Sequence, residues 1–441
     1  MNDAHLVIDL GFGDAGKGAT VDALVEWTGA GTVVRFNGGA QAGHNVVLAD
    51  GRHHTFAQLG AATFVPGVRT LLSRDVVVHP TGLIAELEHL AMKGVRDAIE
   101  RLDVDVDAVV STPYHQVAGR IRELARGAGR HGSCGVGHGE AVAWSLSRPE
   151  TTLRVADLHD ARVVRRCLEA HREGALALPE VDAPALEELL RDDASLENAV
   201  TLFTHLGRRL SRVDGTEALR RALRRSSVVF EGAQGVLLDE RHGFHPHTTW
   251  STTTAKNAHA LLDSAGFSGR RVVLGVTRTY GVRHGAGPFP TEDPAFGGTE
   301  PHNASDHPWQ GAFRRGLLDA VLLRYAVAAA GPVDSLVVTH CDNAPADWAG
   351  AWELGPEWSE RGGHRLDARL VLEGDRVKAL LPLEVPDLVA QAHLGAALSA
   401  VKPVKQPIPS PEALAEQLGL TLACVSDGPR RTDRRWTGVG L

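Results

Sequence analysis

The stretch VIDLGFGDAGKGATVDAL, residues 7–24, decides the fold. An apolar run over Leu6–Leu10 leads into a glycine-rich segment, and an apolar pattern of helical period begins at Val21. A strand, a glycine-rich turn and a helix in this order bring backbone N–H groups and a helix N-terminus close to phosphate, and Lys17 adds a positive charge. The stretch therefore predicts an α/β protein with a P-loop-like phosphate site.

The same loop departs from the usual phosphate-loop pattern in two ways. Gly18 follows Lys17 where that pattern has Ser or Thr, and Asp14 places an acid among the glycines. A glycine-rich turn after a strand is also common as a purely structural connection. The loop alone therefore leaves the function open, and it raises the question of what chemistry Asp14 performs.

Composition narrows the class of protein. The chain has 441 residues, 43% of them hydrophobic, which suits one large domain or a few smaller ones. The formal net charge is -8, so we expect the segments GRRLSRVDG and LRRALRR to be solvated helix faces and expect no nucleic-acid partner. The four cysteines lie far apart without a CxxC pair, which argues against a disulfide framework and a zinc site. No signal-like N-terminus or long apolar run is present, so we expect a cytoplasmic protein without a membrane partner.

Short aliphatic runs alternate with segments of helical period, which indicates a mainly parallel central sheet. The predicted strands are His5–Leu10, Thr32–Arg35, Ser226–Phe230, Arg271–Gly275 and Ser335–Thr339. The predicted helices are Val21–Thr28, His79–Met92, Pro184–Arg191, Gly316–Ala330 and Pro411–Gly419. Asp50 and Gly51 between two alternating runs predict a hairpin with a type I′ turn. The span Pro294–Gly316 has no clear period, and long ordered loops are usually functional.

Further stretches follow predicted strands or lie in flexible turns. They are GGAQAGH (Gly38–His44), FEGAQG (Phe230–Gly235), RHGAGPFPTE (Arg283–Glu292), THCD (Thr339–Asp342) and SDGP (Ser426–Pro429). Each has an ordinary structural interpretation: a loop histidine is often only solvated, and an acid after a strand often caps a helix. An Asp in that place can also read the N1–H and 2-amino groups of guanine with its two oxygens.

Together with GDAGKG (Gly13–Gly18), these stretches resemble, in order and spacing, the motifs of the adenylosuccinate synthetase family over nearly the whole chain. The family motifs are GDxGKG, GGxNAGH, FEGAQG, RxGAGPFPTE, TKxD and STGP. The resemblance implies a single α/β domain over residues 1–441 and a homodimer. It also implies a GTP- and Mg²⁺-dependent ligation of aspartate to a 6-oxopurine nucleotide such as IMP.

The resemblance also implies roles for the central residues. Asp14 takes the N1 proton of the purine and ligates Mg²⁺, and the carbonyl of Gly43 is a second metal ligand. His44 acts as general acid and stabilises the transferring phosphoryl group, with Lys17 as fixed positive charge. The predicted GTP contacts are Gly13, Gly16, Lys17, Gly18, Asp342, Ser426 and Gly428.

Nucleotide contacts carry over with some changes. Gln234 and Thr249 match the family's residues around the nucleotide monophosphate, and Arg148 falls where the partner subunit's arginine reaches its phosphate. Gln41 replaces the asparagine of GGxNAGH. The family loop GTTGRGIGP reads GSCGVGHGE (Gly132–Glu140), so Ser133 and Cys134 replace its two threonines. We expect Ser133 and nearby backbone N–H groups to hold phosphate.

The largest departure is in the family's aspartate loop, TTTGRxRRxGWLD, which here reads SDHPWQGAFRRG (Ser305–Gly316) before LLD. Two arginines that clamp the aspartate are not at their places, so we assign the carboxylates to Arg283, Arg314 or Arg315. Trp309 in this loop is interpreted either as core packing or as part of an altered substrate site. An alternative function is therefore a variant similar to the phage enzymes that act on dGMP, or a nucleoside-antibiotic relative using another amine. A regulatory nucleotide-binding relative and a plain NTPase are further alternatives.

Overall fold

The computed structural model of the chain describes residues 2–297, 308–385 and 387–439. Its strands are β1 Ala4–Asp9, β2 Thr32–Arg35, β3 His44–Val47, β4 His53–Phe56, β5 Arg69–Leu72, β6 Val77–Val78, β7 Leu102–Asp105, β8 Val109–Val110, β9 Ser211–Val213, β10 Val228–Glu231, β11 Arg271–Arg278, β12 Tyr280–His284, β13 Phe313–Leu317, β14 Ser335–Thr339, β15 Asp347–Leu354, β16 Leu370–Glu373, β17 Arg376–Leu380, β18 Val401–Pro407, β19 Thr421–Ser426 and β20 Arg434–Trp436.

The helices of the described residues alternate with these strands over much of the chain. They are α1 Lys17–Thr28, α2 Pro80–Met92, α3 Pro113–Arg126, α4 His138–Ser147, α5 Ala161–Leu176, α6 Pro184–Arg191, α7 Asp193–Arg209, α8 Gly215–Arg225, α9 Lys256–Ser264, α10 Ala320–Ala330, α11 Leu388–Ala397 and α12 Pro411–Gln417. None of them combines the length and apolar character needed to cross a membrane.

Ten strands of the described residues form the central sheet, in the order β20-β19-β14-β11-β1-β10-β2-β5-β7-β9. All neighbouring pairs are parallel except β19 and β20. In β1, Val7 packs into one buried apolar cluster while Leu6 and Ile8 pack into the other. Because alternate side chains of a strand point to opposite faces, the sheet is buried on both sides, as parallel sheets require. The predicted fold class is confirmed.

Most predicted elements are present, with shifted ends. The largest differences are at two helix starts: α1 begins at Lys17, directly after Gly16, and α10 begins at Ala320. Asp319 caps α10 by accepting N–H bonds from Val321 and Leu322, at 2.9 and 3.0 Å. Gly316 and Leu317, which the sequence predicts as the start of this helix, instead end β13, which pairs antiparallel with β12.

The predicted hairpin exists as β3 and β4, but its turn is not type I′. Gly51 has a left-handed φ of 86°, whereas Asp50 is not among the residues with positive φ. The N–H of Gly51 donates to the carbonyl of Leu48 at 3.1 Å, and Leu48 and Arg52 pair beyond it. This is a three-residue loop closed by a left-handed glycine. Like the type I′ turn, it is compatible with the right-handed twist of the two strands.

Candidate active site

The site lies where neighbouring parallel strands of the central sheet end. The carboxyl ends of β19, β14, β11, β1, β10 and β2 share one edge of the sheet, because these strands are parallel. The six motifs follow or adjoin these strand ends. Ligands of open α/β sheets bind in the crevice outside the carboxyl ends of the strands, so the topology itself brings the predicted residues to one edge.

The phosphate loop connects β1 to α1 through a backbone that favours glycine. Gly13 and Gly16 have φ of 98° and 89°, and Asp14 also has a left-handed φ of 59°. Gly16 occupies the N-cap of α1 without a side-chain cap, which leaves the first N–H groups of the helix for a ligand. Lys17 is buried, and its Nζ donates to Oδ2 of Asp9 at 2.9 Å.

Gly18 explains why no Ser or Thr follows Lys17. A Cβ built on Gly18 would lie 2.6 Å from Cβ of His44 and 2.9 Å from its carbonyl carbon. No side chain fits at this distance, because the nearest atoms belong to the backbone and Cβ of another residue. The absent Cβ lets the turn that carries His44 pack directly on the phosphate loop.

His44 is buried and is oriented by Glu231. The two groups meet at 2.5 Å between Nδ1 of His44 and Oε1 of Glu231, while Oε2 of Glu231 accepts the N–H of Ala61 at 2.9 Å. Burial lowers the pKa of His44, and the hydrogen bond and charge of Glu231 oppose that effect. Burial raises the pKa of Glu231, but Arg35, His44 and the Ala61 N–H together bring it below its ordinary value. Nε2 is thus the ring nitrogen left to face a ligand.

Asp14 has a partner that the sequence did not indicate. Its Oδ2 lies 3.1 Å from Nε2 of His284, at the end of β12, and its side chain is 34% exposed. Burial raises the pKa of Asp14, yet the hydrogen bond from His284 and the charges of His284, Lys17 and Arg278 bring it below the ordinary value. Asp14 is therefore an ionised carboxylate at neutral pH, ready to accept a proton or bind a cation.

Three polar side chains surround the Gly38–Gly39 turn, and we call them the Gln–His cluster: Gln41, His138 and Gln234. Within this cluster, four buried atoms have no hydrogen-bond partner among the described residues: Oε1 and Nε2 of Gln41, Nδ1 of His138 and Oε1 of Gln234. Leaving such an atom unsatisfied costs about 1–3 kcal/mol, so a ligand is the expected partner. Gln234 also has a left-handed φ of 56°, which places its side chain beside Gly38.

The hydroxyl-rich loop after β10 packs on this turn. Oγ of Ser251 accepts the N–H of Gly38 at 3.1 Å, and the carbonyl of Trp250 pairs with Nε2 of His138 at 3.1 Å. Thr249 is held in the same loop by its N–H bond to the carbonyl of Leu238, 2.8 Å long. The two residues that follow Thr249 thus join its loop to the turn bordered by Gln41 and Gln234.

The loop with Ser133 and Cys134 is organised by a buried acid. Glu123 of α3 accepts the N–H groups of His131, Gly132 and Ser133 at 3.4, 3.0 and 3.4 Å. Glu123 therefore engages these three amides, while the expectation that Ser133 and other nearby backbone N–H groups hold phosphate stays a prediction. The Ser133 hydroxyl accepts the N–H of Gly135 at 3.2 Å and still has a proton to donate. Cys134 is half-buried and its pKa is raised by burial, so it is a neutral thiol.

The predicted base-reading residues follow β14 and β19, which are neighbours in the sheet. Asp342 is exposed beside Asn343, whose Nδ2 donates to its Oδ2 at 2.7 Å. Oγ of Ser426 donates to the carbonyl of Gly428 at 2.9 Å and closes the SDGP turn. Oγ1 of Thr339 donates to the carbonyl of Ala15 at 2.8 Å, which joins this motif to the phosphate loop.

Arg283 does not clamp a substrate carboxylate, contrary to one of our assignments. It is 1% exposed, and its guanidinium donates to the carbonyls of Ala286, Pro288 and His247 at 3.1, 2.9 and 3.2 Å. It also lies 4.2 Å from the ring centre of Phe12. Every nitrogen of its guanidinium has a protein acceptor, so Arg283 shapes the RHGAGPFPTE loop.

Arg314 remains a candidate for the substrate carboxylates. Its guanidinium nitrogens donate to the carbonyls of Gly285 and Gly287 and to Glu292, at 2.9, 2.8 and 2.7 Å. Unlike the fully buried Arg283, it lines an open cavity of about 470 Å³, which a substrate can enter. Arg315 follows in β13, and its carbonyl accepts the N–H of Asp293. The remainder of the loop, residues 298–307, lies outside the described residues. Trp309 packs on Gly135, whose Cβ would lie 2.8 Å from the indole.

Arg148 is not brought to the site of its own chain. It follows the C-terminal end of α4, whose N-terminal residue is His138 of the Gln–His cluster. The ten residues of α4 span roughly 15 Å. Arg148 is exposed, and its guanidinium carbon lies 4.4 Å from the ring centre of Trp144.

Four residues of the site were missed from the sequence. Asp9, His138, Glu231 and His284 all stand within or beside the quoted motifs. The available signal for Asp9 and Glu231 was a charged residue at the end of a predicted apolar strand. Only the fold shows that β12 brings His284 to Asp14, since the two are distant in sequence.

The phosphate loop, the ionised acid within it and the second loop with His44 define an α/β enzyme that acts on nucleotide phosphates. The adenylosuccinate synthetase family profile matches residues 6–346. The adenylosuccinate synthetase of Marinomonas sp. (strain MWYL1) is 32% identical over 447 residues, which cover 98% of each chain. The chain belongs to the adenylosuccinate synthetase family, and the predicted family and enzyme class, a ligase, are confirmed.

Two solved structures support the fold. Fully ligated adenylosuccinate synthetase from Plasmodium falciparum matches with a TM-score of 0.76 at 19% identity, over 98% of this chain and 99% of that chain. The succinoaminodeoxyadenylate synthetase of cyanophage S-2L, bound to dGMP and dATP as an energy donor, matches with a TM-score of 0.57 at 19% identity, over 99% and 96%. At this identity both structures show the fold alone.

Proposed function

We propose that the protein condenses L-aspartate with IMP to form adenylosuccinate, using GTP and passing through a 6-phosphoryl intermediate. The observation that carries this proposal is the contact of Gly18 with His44, which sets a buried histidine directly on a phosphate loop that contains an ionised Asp14. A plain NTPase loop needs neither residue.

The proposed chemistry answers what the acid in the loop does. The oxygen at C6 of hypoxanthine is a poor leaving group, so it must be phosphorylated before an amine can displace it. The carboxylate of Asp14 accepts the N1 proton, and O6 then attacks the γ-phosphorus of GTP, so that the bond to the β-phosphate breaks and GDP leaves. The amine of aspartate adds at C6, and phosphate leaves.

His44 and Lys17 serve the phosphoryl transfer. The ionised Glu231 accepts a hydrogen bond from Nδ1 of His44, so Nε2 donates a proton to the transferring group when the ring is protonated, the form that bound phosphate favours. Lys17 supplies positive charge at the first turn of α1, where the free N–H groups also face phosphate. Both side chains are buried and therefore held in place before the ligands arrive.

Oxygen donors for Mg²⁺ are available in the two loops. His284 orients the carboxylate of Asp14 by its contact with Oδ2, and Gly43 has a carbonyl in the turn that packs on Gly18. Mg²⁺ binds through one or two such protein oxygens together with phosphates and water, so this donor set fits. When bound, the ion neutralises charge on the phosphates of GTP.

Specificity for GTP is assigned to Asp342, with Ser426 and Gly428 at the neighbouring strand end. Gln41, Ser133, Gln234 and Thr249 are proposed to hold the purine nucleotide. The distance of Arg148 from its own site supports a homodimer in which Arg148 reaches the nucleotide of the partner subunit. We propose the cytoplasm as its location, where these nucleotides are made and used.

Phosphate release from GTP, measured with and without each substrate, tests the proposal. We expect release only with IMP and aspartate present, and a succinyl nucleotide by mass spectrometry. Among IMP, dIMP, GMP and dGMP, IMP should exceed dGMP by about tenfold in kcat/KM, roughly 1.4 kcal/mol, because a 2-amino group crowds Asp14. Release without either substrate would indicate an NTPase, and equal use of dGMP would favour the phage-like alternative.

A further inference from the structure

The Gln–His cluster contains a histidine with a defined proton position. The carbonyl of Trp250 can only accept a hydrogen bond, so Nε2 of His138, 3.1 Å away, carries the hydrogen. His138 is 8% exposed, and burial lowers its pKa to about 4, which keeps the ring neutral. In a neutral imidazole with hydrogen on Nε2, Nδ1 is a hydrogen-bond acceptor.

That acceptor points to the turn where the nucleotide loops meet. Nδ1 of His138 and Oε1 of Gln41 would lie 3.1 and 3.0 Å from a Cβ on Gly39, and Oε1 of Gln234 would lie 3.1 Å from a Cβ on Gly38. Only glycine at these two positions lets the three side chains pack this closely on the turn. All three atoms are buried and have no hydrogen-bond partner within the described residues.

The hydrogen-bond donors and acceptors of the cluster indicate which chemical group it can bind. Three of its four unpartnered atoms are acceptors, and the fourth is Nε2 of Gln41. Phosphate oxygens are acceptors too, so the cluster does not suit a phosphate group. A nucleoside presents O–H groups on its ribose and, in guanine, an N–H₂ group at C2, and either would satisfy an acceptor.

We propose that His138 determines nucleotide specificity by accepting a hydrogen bond from a donor that distinguishes nucleosides, namely the ribose 2′-hydroxyl or the 2-amino group of guanine. This proposal rests on the proposed function for the identity of the nucleotide, and it extends that function to a residue outside the predicted site. The site built to accept such a bond discriminates against an analogue that lacks the donor, since the acceptor then stays buried and unpaired.

Two substitutions separate this role from a structural one. His138→Gln places an amide N–H near the position of Nε2 and keeps a donor for Trp250, but it has no acceptor at the position of Nδ1. His138→Asn keeps a polar atom at that position and loses the bond to Trp250. A residue that acts only by holding Trp250 would tolerate Gln and not Asn, whereas an acceptor for the nucleoside would tolerate Asn and not Gln.

The test measures kcat/KM of both variants with IMP, dIMP and GMP at fixed aspartate and GTP, and nucleotide binding by calorimetry. We expect His138→Gln to weaken the preferred nucleotide about tenfold or more, chiefly in KM, and to reduce its advantage over the analogue without the donor. Loss of the IMP preference over dIMP identifies the ribose 2′-hydroxyl, and loss of discrimination between GMP and IMP identifies the 2-amino group. His138→Asn should keep the wild-type preference.

Equal losses for all three nucleotides, or a larger loss in His138→Asn than in His138→Gln, would overturn the proposal. Thermal unfolding of both variants shows whether they fold. Calorimetry gives the nucleotide preference without turnover. It therefore still tests His138 if no succinyl nucleotide forms, in which case the proposed function fails and the binding role is judged separately.

Discussion

Nζ of Lys17 lies 2.9 Å from Oδ2 of Asp9, and both side chains are almost completely buried. Asp9 also accepts the N–H groups of Gly11 and Ala15, at 2.8 and 3.0 Å. One carboxylate at the end of β1 therefore holds both the lysine and the backbone of the phosphate loop. Lys17 is neutralised by a protein group until phosphate supplies a competing anion.

Asp9→Asn should destabilise the protein without nucleotide by about 3–5 kcal/mol, because it leaves the charge of Lys17 buried and unpaired. GTP should recover part of this loss, since its phosphates replace the missing anion. Urea unfolding with and without GTP measures both effects. Glu197→Gln, which removes an exposed partner of Arg165, is the control and should leave the unfolding free energy unchanged. Equal destabilisation with and without GTP would show that Lys17 does not meet the phosphates.

Asp14→Asn should abolish turnover, to below about a thousandth of the wild-type rate, because an amide cannot take the N1 proton or bind Mg²⁺ well. Asn tolerates the left-handed φ of 59° at this position, so the loop should keep its shape. GTP binding, measured by calorimetry, should change little. Asp14→Ala should be equally inactive, and residual turnover well above the stated limit would contradict the assigned base.

Glu231→Gln should shift the alkaline limb of the pH profile of kcat to lower pH. Glu231 opposes the lowering of the pKa of His44 by burial, so its loss lowers that pKa further. If the protonated form of His44 is the active one, its population then falls at a lower pH. Steady-state kcat between about pH 4.5 and 8 measures the shift, because this range extends below the ordinary histidine pKa. An unchanged limb would mean that His44 does not act as general acid.

Mixing two impaired variants, assayed at an IMP concentration well below the KM of Arg148→Leu, tests the assignment of Arg148 to the partner's site. Arg148→Leu alone should raise the KM for IMP, and Asp14→Asn alone should be inactive. In a mixed dimer, one site has an intact Asp14 and faces an intact Arg148. A refolded equal mixture should therefore regain roughly a quarter of the wild-type sites. Unmixed samples of each variant are the controls, and no gain on mixing would argue against a shared site.

Arg314→Leu should raise the KM for aspartate about tenfold or more while leaving that for GTP unchanged, because a charge-assisted hydrogen bond to a carboxylate is lost. Arg315→Leu tests the neighbouring candidate. Arg283→Leu should instead lower the melting temperature, since Arg283 binds three backbone carbonyls in the protein interior. If neither Arg314→Leu nor Arg315→Leu affects the aspartate KM, the carboxylates bind elsewhere.

The parallel sheet and most motif positions were predictable, because alternation and glycine placement are local properties of the sequence. The start of α10 was not, since Gly316 and Leu317 pair with β12 and only the fold supplies that strand. Arg283 was misassigned for the same reason. An arginine that binds buried carbonyls and an arginine that lines a substrate cavity look the same in the sequence. The contacts of Asp14 with His284 and of His44 with Glu231 join distant segments, so periodicity carries no sign of them.

The packing of Gly18 on His44 also limits how the family can change. Any side chain at position 18 would collide with the backbone of residue 44, whatever occupies that position, so Ser or Thr cannot enter by a single substitution. To accept Ser or Thr at position 18, the turn that carries His44 must first move away from the phosphate loop, and His44 then leaves its position in the site. The two positions therefore constrain each other: while the turn packs on this glycine, the Ser or Thr of a common NTPase loop is not reached by one mutation.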